Sequence, residues 1–268
     1  MLAAAQLYLI GAGPGDPELI TVKAWRILQQ ADTILYDHLA NPALLDLAPA
    51  HCEKISVGKQ PYGLSVSQER IHELIREKAA AGGKIVRLKG GDPFIFGRGF
   101  EEVLFARQLG IAVFYIPGIS SMQASGLADI PLTHRAVSES IWVVTGTKKD
   151  GTLSEDLRLA LRSQATVVIY MGMNKLDEIA RLYRQEGHGE MPAAIIRHAS
   201  LPHQQIAVGV AGQLPELAGQ HRLTHPAIIL IGKVVGIGQQ KGYRTPPLRI
   251  DRELPVAYTP ALRHRKII

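Results

Sequence analysis

The densest group of residues able to do chemistry is Gly90-Gly-Asp-Pro-Phe-Ile-Phe-Gly97, which continues without a break from the apolar run Lys84-Ile-Val-Arg-Leu-Lys89. Paired glycines let a ligand approach the backbone, Pro93 stiffens the turn, and Asp92 offers a carboxylate to a hydroxyl or ammonium group. A glycine-bounded arginine, Arg98, follows at once. Backbone freedom concentrated at a strand's end marks a ligand site.

A second glycine loop, Gly11-Ala-Gly-Pro-Gly15, also follows a strand and precedes a helix, and Asp37 ends the next strand. Together they imitate a dinucleotide-binding fingerprint. The imitation fails in detail. That fingerprint needs a small residue at its sixth position, whereas Asp16-Pro17 stands here and moves the helix start to about Thr21. Pro14 also removes an amide that would face a pyrophosphate. A nicotinamide or flavin enzyme is therefore disfavoured, and the loop alone reads as a tight strand-to-helix turn. The ten histidines show no paired spacing with cysteines or acids of the kind a zinc site uses, so no metal is expected.

The elements that must position these loops are legible as periodicity. Strand-like runs occur at 7–10, 33–36, 85–88, 113–116, 141–145, 167–171, 193–197 and 227–231, most of them continuously apolar. Helical patterns lie between them at 21–31, 67–81, 99–109, 155–161 and 175–186, several closed by Gly82, Gly110 or Gly187. Such alternation predicts an α/β fold of two lobes with largely parallel sheets. The weakly periodic stretch Pro131-Leu-Thr-His-Arg-Ala-Val-Ser138 places the boundary, giving an N-terminal lobe over 1–131, a C-terminal lobe over 138–238 and a basic, proline-containing tail over 239–268. The cleft between lobes would take the ligand, at the carboxyl ends of the strands.

Composition narrows the class. With 46% hydrophobic residues in 268, the chain can bury a large core. No apolar run of about 20 residues appears, so no membrane span is expected. The single cysteine, Cys52, is compatible with a reducing, cytoplasmic setting. The net charge of +6 suggests nucleic acid, but its distribution argues otherwise: residues 241–268 carry seven Lys or Arg against two acids. Stripped of its tail, the chain is almost neutral.

Read together, Gly11-Ala-Gly-Pro-Gly-Asp-Pro17, Tyr36-Asp37, Val57-Gly-Lys59, the whole segment 84–99, Pro117-Gly-Ile-Ser-Ser121 and Pro131-Leu-Thr-His-Arg135 resemble the uroporphyrinogen-III C-methyltransferases, from about Leu7 to Val235. The resemblance implies a class III methyltransferase fold with a cofactor cleft between its lobes. It implies transfer of methyl groups from S-adenosylmethionine, leaving S-adenosylhomocysteine, to carbons 2 and 7 of uroporphyrinogen III. The product would be precorrin-2. A homodimer is implied, and no nucleic-acid partner. A later precorrin methyltransferase and an RNA methyltransferase of the same fold are the alternatives; Tyr36-Asp37, Lys59 and Gly97-Arg-Gly99 favour the first step.

By the same resemblance, Pro14 borders the cofactor pocket, and Gly90, Gly91, Asp92 and Ile95 touch the cofactor largely through backbone. Ser120, Ser121, Met171 and Ala199 complete the pocket from both lobes. On physical grounds alone, the two serines could equally cap the following helix and Met171 could be core packing. Carbon methylation of a pyrrole requires loss of a proton, and the resemblance marks Asp37 as proton acceptor and Lys59 as donor. Arg98 and Arg135 are expected to bind substrate carboxylates, since a guanidinium fork matches a carboxylate bidentately, with Arg98 or Glu101 sharing the proton work. The pattern departs from the family at His38, Gln60, Leu64 and Phe100, all toward the acceptor side.

Overall fold

The structure, a computed structural model, describes residues 4–58 and 66–237. Lys59 and the basic tail lie outside the described residues.

The first sheet contains β1 (Gln6–Gly11), β2 (Thr33–Tyr36), β3 (Glu53–Ser56), β4 (Lys84–Lys89) and β5 (Ala112–Ile116), in the order β3-β2-β4-β1-β5, every pair parallel. Parallel neighbours need crossovers, supplied by α1 (Val22–Leu28), α2 (Gln68–Ala80) and α3 (Gly99–Gln108). The predicted helices appear within one to three residues of their expected ends. Thr21 caps α1 through its hydroxyl and Ser67 caps α2 likewise, while Gly82 and Gly110 take positive φ just past α2 and α3.

Both faces of this sheet are covered, which is why its strands read as continuous apolar runs. Ile10, Ile34, Val86 and Leu88 pack with α1 residues Ala24 and Leu28. Leu7, Leu35 and Ile85 pack on the other face with Ile71, Leu74 and Ile75 of α2 and Ala106 of α3.

The second sheet contains β6 (Ile141–Thr145), β7 (Thr166–Tyr170), β8 (Pro192–Arg197), β9 (Gln205–Val210) and β10 (Ala227–Ile231), ordered β6-β7-β10-β8-β9. Here strand direction differs from that of the first lobe. Only β6 and β7 run parallel; β10 is antiparallel to both β7 and β8, and β8 to β9. The short link between β8 and β9 has no room for a crossover helix, so the chain returns as a hairpin. α4 (Asp156–Leu161), α5 (Leu176–Gln185) and α6 (Leu214–Gln220) cover one face around Ile169, Ile195 and Ile229. The other face, through Val168, Ala194 and Leu230, packs on Ala124 and Ile130 of the segment that joins the lobes. That segment closes the molecule behind the cleft.

Candidate active site

Three strands of the first sheet deliver glycines to one point. A Cβ on Gly118 would lie 2.2 Å from the Gly91 carbonyl oxygen, and one on Gly11 would lie 2.5 Å from Gly118 Cα. Only glycine permits this approach, and Gly13 and Gly91 then exchange backbone hydrogen bonds of 3.3 and 2.8 Å. The two glycine loops of the sequence are thus one platform.

Asp92 braces it. Its Oδ1 accepts from Phe94 N at 2.8 Å, while Oδ2 accepts from the Tyr115 hydroxyl at 2.7 Å and Gly118 N at 3.1 Å. Burial and then the Asp92 carboxylate push the Tyr115 phenol well above its ordinary range, so it stays a neutral donor. Asp92 is therefore the keystone of the turn, with both oxygens engaged by the protein.

Above the platform lies a cavity of about 550 Å³ between the lobes, within the roughly 300–1,000 Å³ typical of ligand sites. Pro14, Gly90, Gly91, Asp92, Ile95, Ser120, Ser121, Met171 and Ala199 all line it. The second lobe is latched to the first beside it: the Tyr170 hydroxyl lies 2.7 Å from Ser120 Oγ and accepts from Met122 N at 3.0 Å, and Asp16 N donates to Ser200 Oγ at 3.0 Å. Ser120 and Ser121 do not cap a helix; the 3-10 helix after them, Gln123–Ala128, has Met122 at its N-cap position and no side-chain cap. Met171 is not core packing but half exposed on the cavity wall.

Strain gathers around this cavity. Phe96, Met171 and His198, all on its wall, adopt φ of 54°, 53° and 51°, a conformation costing about 1 kcal/mol or more for a side chain with a Cβ. His198 is paired edge-on with His203, ring centroids 4.5 Å apart. Its pKa is lowered by burial first, then by Arg197 and His203.

The expected chemical side chains do not all converge. Asp37 stands beside the cavity wall formed by His38 and Leu39, its side chain a quarter exposed and held by Arg87 at 2.5 Å and Lys89 at 3.3 Å. Arg98 and Glu101 form an exposed two-bonded pair at the start of α3, at 2.8 and 2.6 Å, which raises the Arg98 pKa and lowers that of Glu101. Neither lines the cavity, although Gly97 does. Arg135 is exposed in the turn closed by His134 and Ser138, also away from the cavity wall.

Sequence reasoning missed the buried charges Arg87, Lys89 and Glu102. The signal was present: two cations at alternate positions of an otherwise apolar central strand must find partners. It also missed His203, Leu201 and the Pro226–Ile228 stretch, which line the cavity from the second lobe. Among the described residues, no three His, Cys, Asp or Glu side chains converge to hold a metal ion.

A glycine platform at parallel strand ends, facing a second α/β lobe across a cavity, defines a two-lobe α/β ligand-binding protein. The chain belongs to the tetrapyrrole (corrin/porphyrin) methylases, whose family pattern matches residues 6–215. Among its relatives is a siroheme synthase of Psychrobacter cryohalolentis, 42% identical over 234 residues, covering 87% of this chain and 45% of the relative. One of Chromobacterium violaceum is 41% identical over 239 residues, covering 88% and 51%. The chain thus spans about half the length of the curated relatives it matches. Among solved structures, a uroporphyrin-III C-methyltransferase from Thermus thermophilus, complexed with S-adenyl homocysteine, is 39% identical with a TM-score of 0.76, covering 87% of this chain and all of that one. A cobalt precorrin-4 methyltransferase, 24% identical at a TM-score of 0.76, shares the fold.

Proposed function

We propose that this protein transfers methyl groups from S-adenosylmethionine to carbons 2 and 7 of uroporphyrinogen III, giving precorrin-2 and S-adenosylhomocysteine. The observation that carries this reading is the convergence of nine residues, scattered from Pro14 to Ala199, on one inter-lobe cavity.

The cavity suits the cofactor. At Gly91, φ is +65° and an added Cβ would meet nothing nearer than Ser120 at 3.9 Å, so a side chain there would take ligand space rather than core space. Ile95, Met171, Ala199 and Ile228 supply an apolar wall for a base and a sulfonium, while the missing side chains of Gly90 and Gly91 let a ligand approach the backbone. When bound, S-adenosylmethionine supplies an electrophilic methyl group whose transfer leaves a neutral thioether. The protein's share is alignment and water exclusion, for which a cavity closed from two lobes is suited. The macrocycle loses a proton as it gains the methyl carbon, and Asp37, at the margin of the cleft, is the carboxylate placed to take it. The family resemblance adds Lys59 as proton donor; Arg98 and Arg135 are assigned to the acceptor's carboxylates, which a guanidinium fork matches bidentately, with Arg98 or Glu101 sharing the proton work.

The reading extends to a homodimer in the cytoplasm. Phe94, Phe100 and Tyr115 are exposed on and beside the edge strand β5, with Phe94 stacked on Tyr115 at 4.1 Å and edge-on to Phe100 at 5.7 Å, while Phe114 points to the opposite face and stacks on Tyr8. An apolar face of this kind is more economical as an interface than as open surface. No helix among the described residues is long and apolar enough to cross a membrane.

Anaerobic incubation with S-adenosylmethionine and enzymatically prepared uroporphyrinogen III, followed by mass spectrometry, tests the reading. Gain of two methyl groups is expected. Unchanged uroporphyrinogen III, with S-adenosylhomocysteine still bound, would move the acceptor to another tetrapyrrole or to RNA.

A further inference from the structure

β4 is the middle strand of the first sheet, and its side chains alternate between two cores. Val86 and Leu88 belong to the α1 side; Ile85 belongs to the α2 and α3 side, and Arg87 and Lys89 follow it there at two-residue spacing. Arg87 lies in register between Leu9 and Leu35, with its side chain 1% exposed. In that apolar setting a guanidinium must be fully paired. It donates Nε to Glu102 Oε1 at 3.2 Å, Nη1 to the Leu35 and Leu88 carbonyls, and Nη2 to Asp37 Oδ1 at 2.5 Å. Lys89 Nζ bridges the same two acids, 3.3 Å from Asp37 Oδ2 and 3.3 Å from Glu102 Oε1.

Glu102 is the inner end of this quartet, wholly buried, with Gln68 as a further donor at 3.4 Å. Its Oε2 sits 3.2 Å from Arg87 Nε without a hydrogen bond of its own. Two cations and two anions balance, yet such a buried cluster is a poor device for stability, since apolar side chains of similar volume commonly serve as well. Its geometric effect is specific. Both oxygens of Asp37 are gripped from below by cations, and those cations are themselves fixed by Glu102. A carboxylate has about four lone-pair sites, so Asp37, a quarter exposed and next in sequence to the cavity-lining His38, keeps acceptor capacity on its exposed side. The neighbouring groups that bear on its charge are Arg87, Lys89 and Glu102 beneath and His38 beside it.

We propose that Glu102, Arg87 and Lys89 are positioning residues that act through Asp37: Glu102 sets the two cations, and they set the orientation and charge of the carboxylate that accepts the proton. This rests on Asp37 as the proton acceptor of the reaction proposed above.

The two ends of the cluster allow a test by sign. Glu102→Gln removes an anion and leaves the cations in excess, favouring ionised Asp37; Lys89→Gln removes a cation and does the opposite. With carboxyl-13C aspartate incorporated and Asp37→Asn used to assign the signal, the Asp37 titration midpoint is expected to move down in Glu102→Gln and up in Lys89→Gln. The acid limb of the pH–rate profile should move with it in each case, with kcat lowered by roughly ten- to a hundredfold and S-adenosylhomocysteine affinity within about threefold of the parent. A merely structural cluster would lower kcat or the melting temperature without shifting the limbs in opposite directions, and that result overturns the assignment. So does an unmoved Asp37 midpoint in whichever variant folds. A parent protein that methylates nothing would instead defeat the proposed reaction, while the midpoint shifts would still decide whether the cluster controls Asp37.

Discussion

Ser120 Oγ lies 2.7 Å from the Tyr170 hydroxyl, joining the loop after β5 to the end of β7 across the wall of the inter-lobe cavity. Ser120 is 3% exposed, and the same phenol accepts from Met122 N. One hydroxyl therefore fixes the connecting segment against the second lobe on the wall of the cavity. Tyr170→Phe leaves two buried polar groups without that partner. It should cost about 1–3 kcal/mol of stability, lower the melting temperature, and weaken S-adenosylhomocysteine binding, as calorimetry on parent and variant will read. A variant that melts with the parent and binds as tightly would show the latch to be idle.

Gly91 and Gly118, in contact on the platform, give a sharper contrast. Gly118→Ala drives a methyl group to 2.2 Å from the Gly91 carbonyl oxygen and 2.7 Å from Gly11 Cα, so backbone must move and the platform is lost. Gly91→Ala meets no such obstacle; it incurs only the left-handed penalty of about 1–2 kcal/mol and puts its methyl on the cavity side. The first variant should be poorly folded, and the second folded but defective in S-adenosylhomocysteine binding. Circular dichroism with isothermal titration separates them. Normal binding by Gly91→Ala would remove this glycine from the ligand site.

Much of this platform was legible in the sequence because glycine and proline announce backbone geometry locally. The nine cofactor-side positions came from family motifs, and they line one cavity from both lobes, yet Asp92 differs from the simple reading: a free carboxylate in the sequence is a structural brace in three dimensions, since its partners Tyr115 and Gly118 are 23 and 26 residues away. β3 and β9 escaped notice for a physical reason. Both are edge strands: Glu53-Lys-Ile-Ser56 presents mostly exposed side chains and has no apolar run, while the apolar run of β9, Ile206-Ala-Val-Gly-Val210, is short and broken by Gly209. α6 was hidden by Pro215 and Gly219 within seven residues. The buried quartet is half legible: Arg87 and Lys89 inside an apolar strand must find partners, but Glu102 looks like an ordinary helix surface charge until strand register and helix phase bring the four together.

His198 carries a pH dependence whose sign follows from its surroundings. Burial and the nearby Arg197 and His203 disfavour its protonated form in the folded protein, so its pKa there lies below that of the unfolded chain. As pH falls below about 6.5, the ordinary imidazole value, the unfolded state takes up a proton that the folded state resists. Stability is therefore full above that pH and declines beneath it. His198→Asn should flatten the decline between about pH 6.5 and 5 while leaving neutral-pH stability little changed. Melting temperatures across that window provide the check, and an identical slope in both proteins would contradict it.

Asp92 invites the most severe test, because three donors depend on it. Asp92→Ala strands the Phe94 amide, the Tyr115 hydroxyl and the Gly118 amide, none of which has another partner on the short turn. An unmade buried hydrogen bond costs about 1–3 kcal/mol; these three are partly buried and each falls toward the low end of that range, yet their joint loss should rank among the largest for any single side chain of the platform. Asp92→Asn keeps one oxygen and the shape of the side chain. It can still accept at that oxygen, but its amide nitrogen must face a donor at the other position, so an intermediate loss is expected. The order parent, Asn, Ala should hold in both urea midpoint and S-adenosylhomocysteine affinity. If affinity collapsed in Asp92→Asn with the urea midpoint unmoved, the carboxylate would be a direct ligand contact rather than a brace, and the turn would owe its shape to Pro93 and the glycines alone.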